Sequence, residues 1–219
     1  MNTIKTPAEK GFTLHEMLIV IFLITIVSLV TFQIFFNLGR YYQILDTQTD
    51  LMRQKRAILS SMGMDVKNAT YLYPGTSVTI DGVPYSVPAI DGSSGTELLM
   101  AVPEYDRTTG TISSYTIVGY YLVQNTQDQD NKNTFNLVRK AYSGAVPSKQ
   151  GDPATINLSG LKGGTTRVCA RYIVKSAYAL YIGNSGTSIS ATAAFTSARS
   201  RSGRFAQDQM SFTMNRRNI

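Results

Sequence analysis

An apolar run directly behind a carboxylate is the feature that most constrains this chain of 219 residues. From Met17 to Gly39 there are 23 positions without a charged residue and without a proline that would kink a helix. At about 1.5 Å rise per residue the run makes a helix of roughly 35 Å, enough to span the core of a bilayer. Glu16 stands immediately before it, where a carboxylate is costly unless it has a partner. The sequence therefore predicts a transmembrane helix with an acidic residue at its mouth.

A cleavable secretory signal is the first alternative for this run. Such a signal has an apolar core of about 7–15 residues, followed by small residues at a cleavage site. The run here is longer, and the segment from Phe35 to Arg40 offers no such site. We therefore expect the helix to stay in the mature protein. Lys5 and Lys10 precede the run, which favours a cytoplasmic N-terminus and an extracytoplasmic remainder.

The residues from Gly11 to Glu16 read Gly-Phe-Thr-Leu-His-Glu. The string Gly-Phe-Thr-Leu-x-Glu placed against an apolar run resembles the class III leader of type IV prepilins and pseudopilins. The resemblance implies that a prepilin peptidase cuts between Gly11 and Phe12 and that Phe12 is then N-methylated. It also implies that Glu16 is an assembly residue. A freed amine on Phe12 of one subunit would neutralise Glu16 of a neighbour, and low dielectric strengthens such a pair. The alternative is an ordinary signal anchor, in which Glu16 is only a carboxylate near the headgroups.

No constellation of catalytic or metal-binding residues is evident. His15 is the only histidine, at a place where prepilins usually carry an aliphatic residue, and it has no candidate co-ligands near it in sequence. Catalysis by a serine or cysteine nucleophile that an imidazole activates is therefore not expected. The sequence also has no Walker-type or dinucleotide-binding glycine loop. The stretch 128–133 has carboxylates at calcium-like spacing but lacks the loop glycine and terminal glutamate, so a solvated hairpin loop is predicted there. We expect no enzyme activity, cofactor or metal.

The helix is predicted to continue past Arg40 as an amphipathic helix to about Asn68. Apolar residues recur every seven positions, with a second series one position earlier, and the other face is charged: Leu38, Leu45, Met52, Leu59 and Val66, with Ile44, Leu51 and Ile58. A coiled coil would give the same pattern. We favour packing against a sheet of the same chain, because a strand-rich region follows.

After Gly75 the composition changes to Gly, Ser, Thr and Tyr, with short β-type runs between turn signals. Short polar loops between consecutive strands indicate a mainly antiparallel sheet, and the absence of interleaved helices indicates an α+β, pilin-like fold. The predicted strands are Ser77–Ile80, Thr96–Val102, Tyr115–Gln124, Thr134–Tyr142, Arg167–Tyr181, Ser188–Thr196 and Gln209–Met214. Arg167–Tyr181 would also suit a buried helix. The expected organisation is a leader over 1–11, a transmembrane half-helix over 12–39, an amphipathic half-helix over 40–68 and a β-rich domain over 69–219.

Three further segments resemble PilW-type minor pilins and J-type pseudopilins: the predicted hairpin over 115–142, the helix segment Gln54–Ala69 and the tail from Met210. The single cysteine, Cys169, excludes an intramolecular disulfide and is expected to be a small buried residue. This leans towards a Gram-positive or otherwise disulfide-poor source.

The C-terminal segment is strongly basic. The chain carries a net charge of +7, and from Arg199 onward five arginines face one aspartate. Arg199, Arg201 and Arg204 would be able to contact nucleic-acid phosphates or acidic headgroups. A solvated loop between the last two strands is the favoured interpretation.

These features together predict a minor pilin or pseudopilin that acts by assembly. Its expected partners are other pilins, the prepilin peptidase and the plasma or inner membrane, from which it would pass into a surface filament or pseudopilus. The alternatives are a type II secretion pseudopilin, a DNA-binding tip subunit of a competence pilus, and a membrane-anchored adhesin that forms no filament.

Overall fold

In a computed structural model the described residues are 11–126, 133–195 and 208–216. The chain divides into two compact units, Met1–Asp46 and Thr47–Ile219, and each is considered by itself. A single helix, α1 (Leu14–Asn68), crosses the division.

The described part of the first unit is the apolar part of α1. Its large apolar side chains are all exposed within the chain; Phe22, Ile24 and Leu29, for example, are 63, 59 and 65 % exposed. No residue of the unit that the structure describes covers them. Among the described residues this is the one helix long and apolar enough to cross a membrane.

The described part of the second unit contains the end of α1 and ten strands. The strands are β1 (Tyr71–Leu72), β2 (Ser77–Ile80), β3 (Val83–Ser86), β4 (Leu98–Tyr105), β5 (Ile112–Gln124), β6 (Thr134–Ala145), β7 (Thr165–Val174), β8 (Ala179–Ile182), β9 (Ser188–Phe195) and β10 (Asp208–Asn215). One antiparallel sheet has the order β1-β4-β5-β6-β7-β9-β10, with β8 also paired to β9, while β2 and β3 form a separate hairpin. The predicted α+β class with an antiparallel sheet is confirmed.

The end of α1 packs on one face of the curled sheet. Leu51, Ile58, Met62 and Val66 are at most 2 % exposed and share a core cluster with residues of β4 to β10. The prediction of packing against the chain's own sheet holds for this face, but the predicted heptad series is wrong in part. Leu59 is 41 % and Met52 56 % exposed, because an α-helix advances about 20° short of two full turns in seven residues, so a strict heptad drifts off one face.

The opposite face of β4, β5 and β6 carries a second core cluster, to which the β2–β3 hairpin contributes Ile80 and Tyr85. The ring of Tyr85 lies over Gly119 of β5, where an added Cβ would come within 2.4 Å of it. The hairpin turns at Asp81 and Gly82, which both have positive φ, as a two-residue turn between paired strands requires.

Thr70, just after α1, connects β4 with the segment that follows β10. The Thr70 amide donates to the carbonyl of Ala101 in β4 at 2.9 Å. Arg216, which follows β10, donates from Nη1 to the Thr70 carbonyl at 2.7 Å. Arg216 thereby holds the end of β10 beside the segment that leads into β1.

Two strand predictions are corrected. Arg167–Tyr181 is not one strand: β7 ends at Val174, a 3-10 turn covers Lys175–Ala177, and β8 follows. Tyr172 has a φ of 57°, and the register of β7 against β6 shifts there, between the pairs Leu137–Ala170 and Phe135–Ile173. Strands β1 and β3 were not predicted. Cys169 is only partly buried, packed against the helix-side core.

Candidate assembly site at the start of the helix

The start of α1 is a reciprocal cap between Thr13 and Glu16. The Thr13 amide and the Thr13 hydroxyl each donate to Glu16 Oε2 at 2.8 Å. The Glu16 amide lies 3.4 Å from Thr13 Oγ1, to which it donates, and the Thr13 carbonyl accepts from Met17. This is a capping box, in which Thr at the cap and Glu three residues later satisfy donors that a helix end leaves open.

The cap fixes the position of the Glu16 carboxylate relative to the helix. Both bonds from Thr13 go to Oε2, and among the described residues no group donates to Oε1. One carboxylate oxygen is therefore held by the chain itself while the other stays accessible to an external donor. Such a donor would stabilise the Glu16 carboxylate most where water is scarce, because an ionised carboxylate buried alone is strongly unfavourable.

The expected scissile bond lies outside the helix. Residues 11–13 have no regular secondary structure, all three are exposed, and Phe12 is 77 % exposed. A Cβ added to Gly11 would meet no atom within 4 Å, so the fold does not require glycine there. Any requirement for a small residue at this position must come from a partner that reads it.

His15, the departure from the prepilin pattern, is exposed at the second residue of α1. Within the described ranges no group of three or more His, Cys, Asp or Glu is placed to hold a metal ion.

A second polar contact attaches the end of α1 to the sheet. Asp65 accepts from Arg139 through both carboxylate oxygens, at 2.6 Å from Nε and 3.0 Å from Nη2, and from the Tyr120 hydroxyl at 2.6 Å. The Asp65 and Arg139 side chains are 15 and 24 % exposed. Burial and the neighbouring carboxylate raise the pKa of Tyr120 above its usual range, and the bond to Asp65 raises that of Arg139. The group therefore stays ionised at Arg139 and neutral at Tyr120 at physiological pH.

Sequence reasoning placed Gly11, Phe12 and Glu16 together but missed Thr13, although Thr-x-x-Glu ahead of an apolar run is a recognisable capping signal. It also missed the Asp65–Arg139 pair, whose members are 74 residues apart and leave no local pattern. Arg199, Arg201, Arg204 and the stretch 128–132 lie outside the described residues, so those interpretations stay predictions.

Comparison with protein families gives one match. The model of the prokaryotic N-terminal methylation motif matches residues 6–32, which include the expected cleavage point, the cap and the first part of α1. The motif is consistent with the type IV pilin-like family. Searches of curated proteins and of solved structures gave no significant match.

Proposed function

We propose that the protein is a minor pilin or pseudopilin, a priming or tip subunit of a type IV pilus-like filament that assembles through its N-terminal helix. The observation that carries the proposal is the capped Glu16 at the start of an apolar helix whose large side chains are exposed, inside a matched methylation motif. The chain would act by association and not by catalysis.

The geometry supports a specific order of events. Before assembly the apolar half of α1 is held in the membrane, which supplies the apolar surroundings that the unit lacks. Cleavage after Gly11 turns the Phe12 nitrogen into an amine next to the cap. Thr13 stays in the mature chain, so the bonds that orient Glu16 survive cleavage.

In the proposed filament the Phe12 amine of one subunit donates to Glu16 Oε1 of its neighbour. Two opposite charges withdrawn from water attract strongly, and each would be costly to bury alone. The contact therefore favours neighbours that present an amine at the matching height. Thr13 contributes by restricting Glu16 to one position before the neighbour arrives.

The second unit would be the extracytoplasmic part. It has two core clusters of its own, one between α1 and the sheet and one under the β2–β3 hairpin, so its folding does not require a neighbouring subunit. A subunit of this kind is able to enter an assembly already folded.

The rival assignments within the same class are a type II secretion pseudopilin and a DNA-binding tip subunit of a competence pilus. The second depends on Arg199, Arg201 and Arg204, and we do not favour it. Of the five C-terminal arginines, Arg216 already donates one guanidinium hydrogen to the Thr70 carbonyl, a contact that serves the fold.

The N-terminus of the native protein tests the proposal. Mass spectrometry of protein purified from its own membranes should find a chain that begins at Phe12 with one added methyl group on its amine. Gly11→Val is the matched variant: open space around this residue predicts an unchanged fold, whereas a peptidase that reads a small residue should leave the variant uncut. An intact leader on the wild-type protein, in cells whose peptidase processes other prepilins, would contradict the proposal.

A further inference from the structure

The uncharged run of α1 is followed by three residues of a different kind, Arg40, Tyr41 and Tyr42. Tyr41 and Tyr42 are 59 and 67 % exposed, and no hydrogen bond joins either hydroxyl to another residue that the structure describes. Each of the three side chains has an apolar stem or ring with a polar group at its tip. Such side chains are stable where an apolar and an aqueous medium meet, because each end then has suitable surroundings.

The three polar tips are distributed around the helix and do not form a stripe. Successive residues of an α-helix are rotated by about 100°, so Arg40, Tyr41 and Tyr42 leave the axis in directions that span about 200°. The Arg40 guanidinium extends back along α1 and lies 4.5 Å from the centre of the Phe36 ring. A single neighbouring helix covers a face of roughly 100° and would leave at least one tip uncovered. A flat layer that surrounds the helix reaches all three.

The spacing along α1 matches the thickness of a bilayer. From Glu16 to Arg40 the helix rises about 36 Å, whereas the hydrocarbon core is about 30 Å thick and the two headgroup layers bring the total to about 40–45 Å. When the tips of Arg40 and the two tyrosines lie in one headgroup layer, Glu16 therefore lies at the boundary of the other. Residues 11–13, which precede the helix, are then within that second layer.

The uncharged run alone does not determine this depth. Its 23 residues extend about 35 Å, which is roughly 5 Å more than the hydrocarbon core. The helix would thus be able to move by about three residues along the membrane normal without bringing a charge into hydrocarbon. Arginine and tyrosine at the interface oppose such movement, because inward displacement buries their polar tips and outward displacement exposes their apolar parts to water.

We propose that Arg40, Tyr41 and Tyr42, here called the interfacial ring, bind the outer headgroup layer of a phospholipid bilayer and thereby fix the depth of α1. The hydroxyls and the guanidinium would donate to phosphate and ester oxygens of the lipid. The ring then sets the height at which the Gly11–Phe12 bond is presented on the cytoplasmic side, so its members are positioning residues for cleavage although none of them touches the bond. The inference rests on the membrane insertion and processing that the proposed function includes, and it does not require filament assembly.

The test is the depth of a fluorescent label in vesicles of phosphatidylcholine and phosphatidylglycerol. The full-length chain carries Cys169→Ser and Ile19→Cys, so that a nitrobenzoxadiazole group is attached at an exposed position near the start of α1. Phosphatidylcholines with a doxyl quencher at two known positions of the acyl chain then report the distance of the label from the bilayer centre. The chain with the native ring should hold the label at one depth.

Replacing the ring by leucines, as Arg40→Leu, Tyr41→Leu and Tyr42→Leu together, should displace the label about 3–5 Å away from the bilayer centre, because three further residues are then able to enter the core. Tyr41→Trp with Tyr42→Trp keeps a ring with a polar tip at each position and should leave the depth unchanged. Tyr105→Leu is the matched control, since it removes a tyrosine of the second unit that is 52 % exposed, and it should not displace the label. In cells, the leucine variant should accumulate as uncut chain, whereas the tryptophan variant should be cut like the wild type.

Carbonate extraction of the same vesicles separates the possible failures. Protein with the native ring that carbonate removes is not inserted, which would contradict the proposed function as well. Inserted protein whose label has the same depth with the native ring and with leucines would overturn this inference alone. Equal displacement by Tyr105→Leu would also overturn it, because the effect would not be specific to the ring. A displaced label together with wild-type cleavage of the leucine variant would overturn the role of the ring in presenting the bond.

Discussion

The two parts of α1 differ in what covers their apolar side chains. Before Asp46 every large apolar residue that the structure describes is exposed, whereas from Leu51 onward one face is buried against the sheet of the same chain. Helical periodicity does not distinguish the parts; what distinguishes them is how much of the circumference is apolar. The first part is apolar around the whole helix, as a segment surrounded by lipid or by other helices must be, and the second has a single stripe.

The apolar side chains of one helix are therefore covered in two different ways. Burial in the second part is supplied by the chain and is present in a single molecule. Burial in the first part depends on a bilayer or on neighbours, so its residues affect association and leave the unfolding of the β-rich unit unchanged. The first part begins with the capping box of Thr13 and Glu16. The second part ends near the ion pair of Asp65 with Arg139.

The largest expected loss of stability distinguishes two adjacent residues in the second part of α1. Ile58 is 1 % exposed and Leu59 is 41 % exposed. Ile58→Ala should lower the free energy of unfolding by about 3 kcal/mol, from lost apolar burial and the cavity left behind. Leu59→Ala should lower it by less than about 1 kcal/mol. Urea titration of the full-length protein in detergent, followed by near-ultraviolet dichroism of its tyrosines, measures both.

Ile24→Ala, in the first part, is the control for that pair and should leave the urea midpoint unchanged. Equal losses for Ile58→Ala and Leu59→Ala would mean that the buried face of α1 has been assigned incorrectly. A large loss for Ile24→Ala would remove the distinction between the two parts.

The next effect concerns the polar attachment of the second part. Asp65→Ala should lower the free energy of unfolding by about 2 kcal/mol, because it leaves the Arg139 guanidinium and the Tyr120 hydroxyl without their acceptor. Asp65→Asn keeps one acceptor oxygen and should cost about 1 kcal/mol. If both variants were as stable as the wild type in the same titration, the contact would be incidental to the docking of the helix.

A smaller effect is expected for an ion pair that lies away from the helix. Lys140 Nζ donates to Asp81 Oδ2 at 2.7 Å, and this bond holds the pKa of Asp81 below its usual range. A carboxyl whose pKa is lower in the folded state stabilises the fold above its unfolded pKa, near 4, and that contribution is lost as the pH falls through the folded pKa.

The variant Asp81→Asn tests this pair without changing the turn, because Asn tolerates the positive φ that Asp81 adopts. Thermal melts between pH 5 and pH 2 should show a shallower loss of stability for Asp81→Asn than for the wild type. Parallel pH profiles for the two proteins would show that Asp81 does not titrate differently in the folded and unfolded states.

The sequence predicted those features whose cause is local. The apolar run, the strand β2 and the long hairpin of β5 and β6 were recognisable from hydrophobic pattern and turn residues. The separation of β7 from β8 was not, because Lys175–Ala177 contains no glycine or proline to signal the break. The short strand β1 exists only because β4 pairs with it, which no window around Tyr71 reveals.

At the candidate site, too, the local features were predicted from the sequence and the tertiary contacts were not. Glu16 was identified from a short motif, and its bonds to Thr13 follow from helix geometry over three residues. The roles of Asp65 with Arg139 and of Arg216 with Thr70 depend on tertiary contacts across 74 and 146 residues. The buried face of α1 was predicted in part. Leu51, Ile58 and Val66 are buried as expected, whereas Met52 and Leu59 are exposed, since a seven-residue count does not match 3.6 residues per turn.

The central claim is that Glu16 serves a neighbouring subunit with its charge while Thr13 only orients it. The most direct measurement is the amount of each variant that enters filaments, relative to the amount processed, after Glu16→Gln, Glu16→Ala and Thr13→Ala. Glutamine can keep the capping box but carries no charge. We expect Glu16→Gln to be nearly as defective as Glu16→Ala, whereas Thr13→Ala, which keeps the carboxylate, should retain most incorporation. Wild-type incorporation of Glu16→Gln together with loss in Thr13→Ala would contradict it, because the site would then be a helix cap and nothing more.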